Sequence, residues 1–265
     1  MGANMMTSPV LLDIGDGIAT VRLNRPEVGN AIDAATARSF LDVVTRCDAD
    51  PAVRCLILTG VGKMFCAGGD VHAFVSAGDG VRELIETITT PLHDAIDRLS
   101  RIPKPVITAI KGAVPGAGLG LALLGDIAVA GESAKFSAGY GALGVTPDAG
   151  VTWLLPKLIG LRKAQQFLIG GEQVDAHEAE RIGLVSKTVN DLELHDVARG
   201  LADRMKRKSG AAVMITRALM YQGYHTNLVD QLLNEATSIG ETSKAKDGRE
   251  GAIAFVEKRR PNFGV

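Results

Sequence analysis

The feature that most restricts this chain is a change of rhythm partway along it. As far as Ala130, short apolar runs alternate with stretches of helical spacing. "VLLDIGDGIATVRLN" reads as a hairpin, two β-rich runs around Gly15-Asp16-Gly17. Residues 30–50 carry Ile32, Ala35, Phe40, Val43 and Val44 on one helical stripe. "VRCLILTG" (53–60), "PVITAI" (105–110) and "IAVA" (127–130) read as buried strands, and a helix over 81–102 stops before Pro103 and Pro105. "GAGLGLALLGD" (116–126) is apolar all round and reads as a buried helix. After residue 148 the spacing is helical alone: 150–159, 162–169, 175–182, 191–208, 210–223, 226–240 and 246–258. The alternating half implies crossover units, so the class is α/β with a helical region behind it.

At 265 residues and 46% hydrophobic, the chain can bury a sizeable core, as one large domain or one with an appendage. A net charge of −1 points to neither nucleic acid nor a membrane surface. Abundant glycine (31) with 4% aromatics favours close backbone packing. Cys47, Cys55 and Cys66 are odd in number and fit no metal spacing, as for reduced thiols of a cytosolic protein. "MGANMMTSPV" lacks the basic and apolar regions of a signal peptide, and Met6 breaks the myristoylation pattern. The longest apolar run, Gly112 to Gly125, is too short and Gly-rich to span a bilayer. A cytoplasmic protein without membrane contact is expected.

Two phosphate-loop patterns fail. "GVGK" (60–63) lacks its upstream glycine and has Met64 in place of Ser or Thr; "GAGLGL" (116–121) has its third glycine displaced to Gly120. What remains is two loops of one kind, "KMFCAGGDV" (63–71) and the stretch entering Gly116. Each follows an apolar strand, is built of small residues and leads towards a helix. Such loops let backbone N–H groups reach a ligand, and two of them converging hold a developing oxyanion. Taken alone, each also reads as a tight turn.

The motifs "LNRPEVGNAI", "LILTGVGKMFCAGGDV", "KPVITAIKGAVPGAGLGLALLGDIAVAGESAKF", "GALGVTPDAGVTWLLPKLIG", "AERIGLVSKTV" and "REGAIAFVEKRRPNF" occur in order over nearly the whole chain. In this the chain resembles the enoyl-CoA hydratase/isomerase, or crotonase, superfamily. The resemblance implies a spiral of ββα units over residues 1–195 holding the site, and a C-terminal helical region (196–265) for trimerisation and CoA covering. It implies an acyl-CoA substrate, a homotrimer or hexamer, and no cofactor beyond the CoA of the thioester. By motif position Gly69 and Ala117 are the oxyanion donors. Ala67, Gly68, Asp70, Val71 and Gly116 would lie along the CoA ester. Arg25 and Val28 would contact the nucleotide end, and Phe255 and Lys258 the CoA of a neighbouring subunit. Lys258, Arg259 and Arg260 equally read as a solvated helix end.

Hydratases of the family carry two glutamates, at the places of Gly120 and Tyr140 here. Neither residue supplies an acid–base pair for hydration, tyrosine ionising only near pH ~10. Asp148 in "GVTPDAG" matches a position that is acidic in isomerases and in aryl-CoA dehalogenases. One carboxylate beside an oxyanion hole suffices to move a proton from the α- to the γ-carbon of an enoyl-CoA. Asp148 is therefore read as the base, with Tyr140 lining the pocket as a hydrogen-bond donor and Leu143, Val145, Trp153 and Leu154 as apolar walls. Without the family, Asp148 reads as a helix N-cap. Other readings stay open: a hydratase of unusual mechanism, a dehalogenase using Asp148 and His93, or an inactive CoA-ester or RNA-binding relative. For RNA, "RMKRKSG" (204–210) is the strongest basic run, and it also reads as a helix C-terminus. His72 lies near the CoA path with no catalytic role expected, and His177, His195 and His225 have no ligand spacing, so no metal site is predicted. Helix 81–102 and the loop "HAFVSAGDG" are expected to shape the acyl pocket.

Overall fold

The structure is a computed structural model that describes residues 8–263. The N-terminal readings that rest on residues 1–7 fall outside them. β1 (Val10–Gly15) and β2 (Ile18–Leu23) pair antiparallel across Asp16 and Gly17, at φ 52° and 74°. That two-residue geometry matches the twist of the strands it joins. α1 (Ala34–Ala49) starts later than the spacing predicts because Asp33 caps it, accepting the Thr36 N–H at 2.7 Å. Ile32 is buried ahead of the helix, and Ala35 faces solvent; the buried stripe is Thr36, Ala37, Phe40, Val43, Val44 and Cys47.

The chain continues through β3 (Cys55–Gly60), α2 (Val71–Ala77), α3 (Val81–Arg101) and β4 (Val106–Ile110). Next come β5 (Ala113–Pro115), α4 (Ala117–Ala122), β6 (Ile127–Gly131), β7 (Lys135–Ser137) and α5 (Tyr140–Leu143). α6 (Val151–Ile159), α7 (Leu161–Leu168), β8 (Gln173–Asp175), α8 (Ala176–Arg181) and β9 (Lys187–Val189) follow. α9 (Leu194–Met205), α10 (Gly210–Gln222), α11 (Leu228–Lys244) and α12 (Lys246–Val256) close the described part.

Six strands form one sheet in the order β1-β2-β3-β4-β6-β9, parallel except for the β1–β2 hairpin. A second sheet, β5-β7-β8, stands apart from it. The large sheet is covered on both faces, which is why β3 and β4 are buried along their whole length and largely apolar. Cys55, Ile57, Ile107 and Val129 face α9, through Leu194, Ala198 and Ala202. The alternate residues, among them Leu56, Leu58 and Ile110, join the larger core with α1, α3 and the buried α4.

The expectation of helices alone after residue 148 is corrected: β8 and β9 lie there. Each has three residues, too few to show a period, and each is held by a neighbour rather than by its own pattern. The loop reading of "HAFVSAGDG" is corrected too. Its first six residues belong to α2, whose cap is the Asp70 carboxylate, accepting from the Ala73 N–H at 3.3 Å. α9 runs through residue 195 and covers the sheet as far as Met205, so the chain has no structural break at that point.

α10 is tied to the core by Arg217, which is buried. Its guanidinium grips both Asp126 oxygens, at 2.8 and 2.6 Å, and donates to the Ile102 carbonyl at 2.7 Å. α11 buries no residue and leaves Leu228, Val229, Leu232, Leu233 and Ile239 exposed.

Candidate active site

β3 and β4 are adjacent and parallel, so the chain leaves both at the same edge of the sheet, from β3 directly into the first loop and from β4 through β5 into the second. The first loop is pinned by Asn30, which is buried at positive φ. Its side-chain amide donates to the Val61, Met64 and Phe65 carbonyls at 3.0, 2.8 and 3.2 Å, and its Oδ1 accepts the Arg25 N–H. Small residues are needed because the two loops pack backbone to backbone. A β-carbon on Gly68 would sit 2.9 Å from the Pro115 carbonyl oxygen and 3.4 Å from the Ala117 nitrogen. One on Gly118 would sit 2.3 Å from the Cys66 carbonyl oxygen.

Gly69 forms a parallel bridge to Ile32 that uses the Gly68 carbonyl and the Asp70 N–H, which turns the Gly69 N–H the other way. Ala117 opens α4, so its N–H has no partner within the helix. Among the described residues, no acceptor faces either N–H. The Phe74 ring from α2 lies directly over Gly69, where a β-carbon would meet it at 2.8 Å.

Behind these loops lies Asp148. Its Oδ1 accepts from the Tyr140 hydroxyl at 2.7 Å. Tyr140 is buried, and burial, then the Asp148 charge, pushes its pKa well above the ordinary tyrosine value. Its ring is 4.0 Å from where a Gly116 β-carbon would lie. Asp148 does not cap α6: Gly150 stands at the N-cap with no side-chain bond, and the Asp148 backbone carbonyl accepts from Val151. Gly120 faces the same loop, and a β-carbon there would lie 2.5 Å from the Ala149 carbonyl oxygen and 2.6 Å from its β-carbon. The Ala149 N–H points to His93 Nε2 at 3.4 Å.

Several predicted residues have other company. Arg25 donates to the Ala31 carbonyl at 2.8 Å and pairs with Asp33 (3.1 Å) and Asp70 (3.4 Å), joining the caps of α1 and α2. The Ala67 N–H donates to the Gly29 carbonyl; Val28 and Val71 are exposed. Trp153, read as a pocket wall, packs against Tyr221 of α10 at 4.9 Å under the Lys157 ammonium. Leu143 and Val145 are half-exposed, and Leu154 is buried in the core. Phe255 is 85% exposed on α12, and Lys258 follows that helix at φ 55°. Arg259 is held by Glu250 and Glu257 rather than left to solvent. In the basic run, Lys206 pairs with Asp16 and Asp203.

Asn30, Phe74 and His93's contact with the Asp148 loop escaped sequence reasoning. Only the polar character of Asn30 between apolar neighbours could have flagged it. Among the described residues no cluster of His, Cys, Asp or Glu could hold a metal, and no helix is long and apolar enough to cross a membrane.

The mixed α/β core and its two side-chain-poor loops narrow the class of protein, and sequence comparison identifies it. Residues 13–265 match the family described as enoyl-CoA hydratase/isomerase, and the chain belongs to that family. It is 33% identical over 255 residues to the 1,2-epoxyphenylacetyl-CoA isomerase of Escherichia coli strain K12, covering 96% of this chain and 97% of that one. It is 35% identical over 266 residues to the crotonyl-CoA hydratase of Syntrophomonas wolfei, covering 96% and 97%. The crystal structure of an enoyl-CoA hydratase from Bacillus anthracis superposes with a TM-score of 0.88 at 30% identity, covering 97% of this chain and 99% of that one. The fold is the crotonase fold.

Proposed function

We propose that this chain is an acyl-CoA isomerase that moves a proton with one carboxylate. The observation that carries the reading is the isolation of Asp148. It bonds Tyr140, while the family's first glutamate place is Gly120, filled by the Ala149 backbone, and its second is Tyr140 itself. Asp148 takes the α-proton, and the electron pair of that C–H bond flows into the thioester carbonyl. The Gly69 and Ala117 N–H groups receive the charge on that oxygen. Asp148 then returns the proton to the γ-carbon, so a 3-enoyl-CoA becomes a 2-enoyl-CoA. No acid or base is left over to activate water, which sets hydration behind isomerisation. The isomerase named above supports a ring-epoxide acyl-CoA as the other substrate of this type.

In this reading Ala67, Gly68, Asp70, Val71 and Gly116 line the CoA ester, and Val28 and Arg25 stand at its nucleotide end. Phe255 and Lys258 serve a neighbouring subunit. The exposed apolar residues of α11 support assembly into a trimer or hexamer. The substrate carries its own CoA, so no separate cofactor is required. For dehalogenation His93 would be the base, but Nε2 already accepts the Ala149 N–H.

Asp148→Asn tests the proposal. It should abolish proton exchange at the α-carbon in deuterated water while binding of the CoA ester stays nearly intact. Unchanged exchange would remove Asp148 from the mechanism. A panel of 2-enoyl-, 3-enoyl- and aryl-CoA esters in the same solvent separates isomerisation, hydration, dehalogenation and inactivity.

A further inference from the structure

His93 stands on α3, 56 residues from the amide it meets in the Asp148 loop. That amide belongs to Ala149, the residue after Asp148. Ala149 carries a β-carbon at φ 52°, and Gly150 follows at 76°. Two left-handed residues in succession, one of them not glycine, persist only where the surroundings over-determine them. Here three contacts do so. Gly120 gives the Ala149 carbonyl and methyl group their room; the Asp148 carbonyl accepts from Val151; and the Ala149 N–H donates to His93 Nε2.

Gly120 and Val151 restrain the loop from the α4 side and from α6. The hydrogen bond to His93 is the restraint that comes from α3. An imidazole accepts through the lone pair of a ring nitrogen, here Nε2. Its lone pair is then engaged with the backbone and does not serve as a base.

We infer that His93 is a positioning residue: by accepting the Ala149 amide it holds the left-handed peptide that aims the Asp148 carboxylate. The inference rests on the reading of Asp148 as the proton carrier, and it adds a second fixed point. The carboxylate is set from one side by the Tyr140 hydroxyl and from its own backbone by His93. Through this bond α3, expected to shape the acyl pocket, also sets the catalytic loop.

The test compares wild type with His93→Leu, which fills similar space without an acceptor, and His93→Gln, whose Oε1 reaches towards the Nε2 position. Two readouts are taken on the full-length protein: hydrogen–deuterium exchange of the segment 145–153, and kcat and KM on a 3-enoyl-CoA. His93→Leu should raise exchange of the segment and lower kcat about tenfold, the worth of one net hydrogen bond, with KM unchanged. His93→Gln should restore both. Equal exchange in all three proteins overturns the inference, as does a fall in kcat with exchange unmoved, which would make the imidazole a direct participant. Should His93→Leu fail to fold, His93→Asn, whose acceptor falls short of Ala149, takes its place against His93→Gln. The exchange readout needs no turnover, so its failure is distinct from the failure of Asp148→Asn to stop proton exchange.

Discussion

The Tyr140 hydroxyl donates to Asp148 Oδ1 over 2.7 Å, from within the first turn of α5. The pair spans eight residues of sequence and sets a neutral donor against the carboxylate. Burial and the neighbouring negative charge both favour the protonated phenol, so the direction of the bond is set.

Tyr140→Phe removes that donor and frees the carboxylate to rotate. Its kcat should fall about tenfold with KM little changed. The raised Tyr140 pKa means that the hydroxyl keeps its proton at a pH where an ordinary tyrosine loses it. The ratio of wild-type to Tyr140→Phe kcat should therefore stay level from about pH 7 to about pH 10. A ratio that collapses towards one near about pH 10 would mean that the phenol ionises there after all.

A glutamate placed at position 120, where the resemblance puts one in hydratases, should not create hydratase activity. A β-carbon at position 120 lies 2.5 Å from the Ala149 carbonyl oxygen, a backbone atom that cannot swing aside. Gly120→Glu should lose about 2 kcal/mol or more of stability and show no gain in hydration of a 2-enoyl-CoA. Efficient hydratase activity in a variant of unchanged melting temperature would contradict the geometry.

Arg217 should be the strongest single tie between α10 and the core. Arg217→Leu leaves the Asp126 carboxylate with the Val106 N–H but no cation, and takes the guanidinium donor from the Ile102 carbonyl. The expected cost is about 3 kcal/mol, read as a lower midpoint of urea unfolding. A loss below about 0.5 kcal/mol would place the anchor of α10 elsewhere.

The thiols should be inert in the folded protein. Burial pushes Cys47 up to about 11 and both Cys55 and Cys66 up to about 12, and all three are unpaired and buried. At pH ~8 a chromogenic disulfide reagent should titrate none of them quickly, and all of them after denaturation. Fast reaction of one thiol in the native protein would expose a local opening around it.

The long elements were legible from residue spacing because local pattern decides them. Eight to twenty-one residues of consistent period leave α1, α3 and the longer of the later helices little choice, and β3, β4 and β6 are apolar enough to need cover on both faces. Residue identity also showed that positions 120 and 140 carry no carboxylate, since glycine and tyrosine supply none in any fold. The three-residue strands β5, β8 and β9 were not legible, because their partners stabilise them rather than their own sequence. Nor was α2, seven residues opened by one aspartate.

The tertiary structure alone decided who meets whom at the site. That Asp148 bonds Tyr140, eight residues away, instead of capping α6 follows from how the segment after α5 is held, and Arg25 reaching Asp70 and His93 reaching Ala149 join elements 45 and 56 residues apart. Such contacts leave no local period. The loops after β2 and β3 meet because adjacent parallel strands deliver them to one edge, and the small residues there let the backbones close together.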